Sequence, residues 1–147
     1  MRVKAVDGWA VSGLLLFSTF AFVKLRAPPP FTDEAAHMWW VQRALEAGDW
    51  LRPLNAGKPL EQWLAAPFVR LAGGDPLTVM RGLHVVAGMF SVMMVYLLAS
   101  RLADRRIAFL SAGLIALCPF VVYLERQAQA EIYLCAASLL VLLGVLW

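Results

Sequence analysis

The sequence predicts an all-α, polytopic membrane protein with about four transmembrane helices and two interfacial helices in its first extracytoplasmic loop. Three observations carry that expectation. Hydrophobic residues make up 61% of the chain and charged residues 16%, more apolar surface than a soluble domain of this size can hide. Four uncharged stretches, 8–23, 83–100, 107–124 and 132–147, approach the ~20 apolar residues that a span needs. The charges gather between these stretches rather than inside them.

The first span is expected at about 8–25. Arg2 and Lys4 precede it, as in a secretory leader, but no small-x-small cleavage site follows. Lys24-Leu25-Arg26-Ala27 runs straight into Pro28-Pro29-Pro30, so the helix reads as uncleaved. The prolines end it stiffly and open the outer loop, 27–82. Thr32 is a candidate N-cap, with Asp33 and Glu34 in the first turn, where carboxylates complement the helix dipole. Met38, Val41 and Leu45 recur at helical spacing and Gly48 can stop the chain, which predicts a helix at about 33–47. Lys58-Pro59 begins a second helix, at about 59–72, because proline is tolerated in a first turn. That helix sets Leu60, Leu64, Phe68 and Leu71 on one side, carries Pro67 as an expected kink, and ends at Gly73-Gly74. Trp39, Trp40, Trp50 and Trp63 suit the membrane–water boundary. Asp75-Pro76 then supplies cap and first turn for the second span, expected at 83–100. The third and fourth spans are expected at 107–124 and 132–147.

Arg101, Arg105 and Arg106 mark the turn between the second and third spans as cytoplasmic, and Arg2 and Lys4 place the N-terminus on the same side. The loop 27–82 and the turn near Tyr123–Glu131 then face outward. The expected location is the inner (plasma) membrane, multi-pass. Cys118 and Cys135 lie in apolar stretches without redox or zinc spacing. The net charge is +3 and its arginines sit at span ends, so no nucleic-acid surface is indicated. The chain is still apolar at Leu142–Trp147, where a polar tail is usual, which points to a longer protein.

Four places could carry chemistry. Asp33, Glu34 and His37 share one side of a helix. A carboxylate at the membrane boundary can act as a general base; equally, the acids can simply complement the dipole, and His37 can be a packing or hydrogen-bonding residue. As a metal site the trio is weak. Lys58 at a helix N-terminus can hold a phosphate, or snorkel. Glu125, Arg126 and Glu131 bracket the outer turn; charges beside a span often mark function, but a pair closing a hairpin explains them too. Arg81 reads as an interface anchor or phosphate contact, and His84 as a packed polar residue. No nucleophile elbow, P-loop or dinucleotide fingerprint is present.

The order of these segments is more telling than any one of them. A single span is followed by Thr32-Asp33-Glu34-Ala35-Ala36-His37, then Gly57-Lys58-Pro59-Leu60-Glu61-Gln62-Trp63-Leu64, then Arg81-Gly82-Leu83, then Tyr96–Leu102, then Pro119 and Arg126-Gln127-Ala128-Gln129-Ala130-Glu131. The series resembles the N-terminal part of the GT-C glycosyltransferases, in the branch of protein O-mannosyltransferases and lipid A aminoarabinose transferases, from about residue 8 to 147. The resemblance implies a polytopic enzyme that moves a sugar from a polyprenyl-phosphate carrier to a lipid or protein acceptor on the outer face. It implies that Asp33 is the base, that Glu34 is its usual neighbour, that Lys58 lies near the carrier phosphate, and that Arg126 and Glu131 match an arginine and an aspartate five residues on. Two departures stand out. The lysine–proline–proline–leucine motif reads Lys58-Pro59-Leu60, and Glu131 replaces the aspartate.

The placement of the charged residues agrees with this chemistry. A prenyl carrier lies in the bilayer with its phosphate at headgroup level, where the two surface helices are expected. Inverting transfer needs one carboxylate base and a held phosphate; Lys58, Arg81, Arg126 or a divalent metal ion could assist its departure. Two other classes remain open. A transporter-like subunit would place ionisable residues at span centres, and a non-catalytic scaffold or truncated fragment would account for the early end and the motif departures.

Overall fold

The computed structural model describes residues 13, 22, 23, 25, 29, 32–48, 50, 59–125, 127 and 129–146. The span expected at 8–25 lies largely outside the described residues, as do Lys58 and Arg126. All secondary structure among the described residues is helical. Six helices follow in order: α1 (Thr32–Ala47), α2 (Pro59–Ala72), α3 (Pro76–Leu102), α4 (Arg105–Leu117), α5 (Pro119–Glu125) and α6 (Glu131–Val145).

The helix ends follow from local chemistry. Gly48, after α1, has φ +65°, and Gly73, after α2, has φ +58°, the left-handed conformation that closes a helix and that glycine adopts without strain. The Gly73 N–H returns to the Val69 carbonyl at 3.3 Å. Asp75 then caps α3: its Oδ2 accepts from the Thr78 N–H at 3.2 Å and from the Thr78 hydroxyl at 2.6 Å, with Pro76 in the first turn. Asp104 caps α4 in the same way, its Oδ1 accepting from the Arg106 and Ile107 amides at 2.8 and 2.9 Å.

α3 is the hub, since it packs against every other helix of the set. At 27 residues it is about 40 Å long, and it is the one helix among the described residues long and apolar enough to cross a membrane. α6 is a shorter apolar helix. The third expected span, 107–124, is divided: α4 stops at Leu117 and α5 starts at Pro119. Proline has no N–H for the carbonyl four residues back and its ring collides with it. The Cys118 N–H takes that carbonyl instead, that of Ile115, at 3.2 Å. Pro67, by contrast, sits inside a continuous α2.

The packing is inverted relative to a soluble protein. α2 turns Glu61, Gln62, Ala65, Ala66 and Val69 inward and leaves Leu60, Leu64, Phe68 and Leu71 exposed. α4 buries Ala108, Ala112 and Ala116 against Val92 and Tyr96 of α3, while Ile107, Phe109, Leu110, Leu114 and Leu117 point out. Small residues at helix contacts with large apolar ones outside are what a lipid solvent favours, because close backbone approach rather than apolar burial holds helices together there. A second cluster, Val41, Ala65, Ala66, Val69 and Met80, joins α1, α2 and α3.

Gly73 offers a clean test of the left-handed cap. A Cβ there meets nothing within 4 Å, so Gly73→Ala should lose only backbone free energy, about 1–2 kcal/mol, read as a lower Tm. Gly74→Ala, where φ is not positive and the new methyl makes ordinary contact with Ala72, should leave Tm nearly unchanged.

Candidate functional site

The N-terminal end of α3 gathers most of the buried polar groups. Arg81, one turn into α3, is fully buried. Its Nε and Nη2 donate to Glu34 Oε1 and Oε2 at 2.6 and 2.7 Å. Its Nη1 donates to the Leu25 carbonyl at 2.6 Å, and Nη2 also reaches the Pro29 carbonyl at 3.4 Å. A planar fork against a carboxylate is the strong, directional form of such a pair. It ties the start of α1, and the chain leading into it, to α3.

One turn on, three helices meet around Glu61. His37 Nδ1, from α1, lies 2.7 Å from Glu61 Oε2, and His84 Nε2, from α3, lies 3.1 Å from Oε1. All three side chains are buried. Among the described residues the two rings are the polar groups nearest the carboxylate, and they meet it at ion-pair distance rather than in an aligned hydrogen bond. Burial alone would push the Glu61 carboxyl up, but its interaction with His37 and then His84 outweighs that and holds the group below its ordinary value of 4.5. His84 Nδ1 sits 2.7 Å from the Met80 carbonyl, and its ring meets Tyr133 of α6 edge-on at 4.7 Å. Gln62 is fully buried, and among the described residues neither of its amide atoms nor the Tyr133 hydroxyl has a hydrogen-bond partner.

The sequence-derived candidates are thus sorted. Asp33 is exposed at the start of α1, whereas its neighbours Glu34 and His37 turn inward, so the three do not present one common surface. Arg81 is committed to Glu34 and to backbone carbonyls. Glu131 is exposed at the start of α6. Lys58 and Arg126 lie outside the described residues. The starts of α1 and α6 both sit at the N-terminal end of α3, through Glu34–Arg81 and Tyr133–His84, and the turn bearing Arg101, Arg105 and Arg106 sits at the opposite end. Sequence reasoning missed Glu61, Gln62 and Tyr133. A usable signal was present for the first two: they are the polar pair in an otherwise apolar, small-residue side of α2. Among the described residues no group of three His, Cys, Asp or Glu is arranged to hold a metal ion. Beside Arg81, an apolar groove of about 440 Å³ is lined by Phe22, Phe68, Leu71, Val79, Gly82 and Val86, among others.

A family model described as dolichyl-phosphate-mannose-protein mannosyltransferase matches residues 52–146, well over half of the chain. The chain belongs to that mannosyltransferase family. Its members are glycosyltransferases of the GT-C type and membrane proteins, which fits the inverted packing of α2 and α4. No curated protein and no solved structure matches the chain. The matched stretch of the mannosyltransferase family begins before α2 and takes in Glu61, Arg81, His84 and Tyr133, whereas α1, with Asp33, Glu34 and His37, precedes it.

Two outcomes follow for this member of the mannosyltransferase family. Arg81→Met strands a buried carboxylate and should lower stability by about 3–5 kcal/mol, whereas adding Glu34→Gln should recover part of that loss; thermal unfolding of the two variants in one lipid system measures both. The Glu61 carboxyl has a lower folded than unfolded value, so its charged form favours the folded state. Its contribution is full above 4.5 and drains as pH falls through the depressed folded value. The Tm advantage of the unaltered chain over Glu61→Gln should therefore hold at neutral pH and shrink in acid below that point.

Proposed function

We propose that the chain carries the acceptor-activating face of a glycosyltransferase that moves a sugar from a polyprenyl-phosphate carrier to a lipid or protein acceptor on the extracytoplasmic side of the plasma membrane. The observation that carries this reading is the split between Asp33 and Glu34. Glu34 is locked to Arg81, and Asp33, the next residue back, stands exposed on the same first turn. One acid fixes the turn and the other is presented to whatever approaches it.

The chemistry is an inverting displacement. Asp33, as general base, takes the proton of the acceptor hydroxyl as its oxygen bonds to the anomeric carbon. The bond from that carbon to the carrier phosphate breaks, its electron pair stays on the phosphate oxygen, and polyprenyl phosphate leaves. Lys58, immediately before α2, and Arg126, before α6, are the proposed cations for that departing charge, with Glu131 at the same outer turn. Arg81, whose donors serve Glu34, holds the frame rather than the phosphate. The apolar groove along Gly82 and Val86 suits the prenyl tail, since it is lined almost wholly by apolar side chains and lies beside the Arg81 turn.

On this reading the N-terminus and the Arg101–Arg106 turn face the cytoplasm, with α1 and α2 along the outer surface. The exposed tryptophans Trp39, Trp50 and Trp63 support a position at a membrane boundary.

Asp33→Asn in the full-length protein is expected to abolish sugar transfer while membrane insertion and Tm stay as they were, because Asp33 is exposed. Transfer from a polyprenyl-phosphate sugar at an unchanged rate would remove Asp33 from the mechanism.

A further inference from the structure

Glu61 is met by two imidazoles that reach it from two other helices, and the hydrogen count of that contact is decided by a fourth group. The Met80 carbonyl can only accept. At 2.7 Å from it, His84 Nδ1 must therefore carry a hydrogen. A neutral ring protonated there has a bare Nε2, an acceptor, and Nε2 is the atom that faces Glu61 Oε1 at 3.1 Å. Two acceptors at that distance, sealed from water, repel each other. The contact becomes attractive when a hydrogen lies on His84 Nε2 as well. The other carboxylate oxygen, Glu61 Oε2, lies 2.7 Å from His37 Nδ1.

We propose that His37, Glu61 and His84 form a buried proton-holding clamp in which His84 donates through both ring nitrogens and which positions α2 against α1 and α3. The charged and titratable groups around it are limited in number. From α1 come His37 and, one turn back, Glu34, which is paired with Arg81. From α3 come His84 and Arg81. From α6 comes Tyr133, whose ring covers His84. The clamp thus holds one positive charge against one carboxylate between buried side chains, and it joins the three helices at a single point.

The clamp does not depend on the transfer reading. Its consequence for catalysis does: by fixing α2 on α1, it would set the start of α2, next to Lys58, relative to Asp33. Glu61 and His84 are then positioning residues, acting through helix placement.

The test is nitrogen NMR of the full-length protein, labelled with ¹⁵N-histidine, in lipid nanodiscs at about pH 7. The 147-residue sequence holds two histidines, and loss of a signal in His37→Asn or His84→Asn assigns each ring. The expected spectrum shows His84 with hydrogens on both nitrogens, and Glu61→Gln removes one of them. A His84 ring with a single N–H in the unaltered protein overturns the clamp, and so does a doubly protonated ring that Glu61→Gln leaves untouched. If Glu61→Gln does not fold, the unaltered spectrum still decides, with Glu61→Asp expected to keep both hydrogens. Failure of the transfer reading shows separately, as unchanged turnover in Asp33→Asn with the His84 signature in place.

Discussion

The buried pair between Arg81 and Glu34 is the constraint on which the rest of this end of the molecule depends. Two charges away from water are expensive to hold, and the attraction between them compensates only when the geometry is good and the remaining donors are used. Both conditions are met: two parallel bonds join the guanidinium to the carboxylate, and the Leu25 and Pro29 carbonyls take further donors. Such a pair admits little drift in either helix. The first turn of α1 is therefore fixed to α3, and Asp33 is fixed with it.

The second determinant is the solvent. In water, a helix that points Leu64, Phe68 and Leu71 outward and Glu61 and Gln62 inward would be inside out. Against hydrocarbon the arrangement is reasonable, because the large side chains lose nothing by facing lipid and the polar ones escape it only toward protein. The buried polar cluster and the exposed apolar surface of α2 are thus two results of one cause. Membership of a membrane mannosyltransferase family agrees with both.

How much of this was legible in the sequence depends on how local each signal is. The end of α1, both ends of α2 and the start of α3 could be read closely, since Gly48, Pro59, Gly73 and Asp75 act through their own backbone or the next turn, whereas Thr32, the expected N-cap, is the first residue of α1 itself. Glu34 and Arg81 were both visible as candidates, but not as partners, because they are 47 residues apart and no short-range pattern links them. Glu61 escaped notice for the opposite reason: a lone acid on an apolar helix looks like a solvated charge, and only the arrival of His37 and His84 from other helices gives it a role. The division of the third expected span was legible in principle. Pro119 stands in the middle of an apolar run, and hydropathy averaged over the run hides a residue whose effect is on the backbone.

That division has a further consequence. A helix broken in an apolar medium ordinarily exposes a bare carbonyl, which attracts water or a polar neighbour. Here the carbonyl orphaned by Pro119, that of Ile115, takes the Cys118 N–H, and the Cys118 carbonyl takes that of Val122 at 3.0 Å. The carbonyl that Pro119 strands is thus satisfied within the corner between α4 and α5. The break therefore sits at a defined point in the chain and carries its own compensation for the N–H that proline lacks.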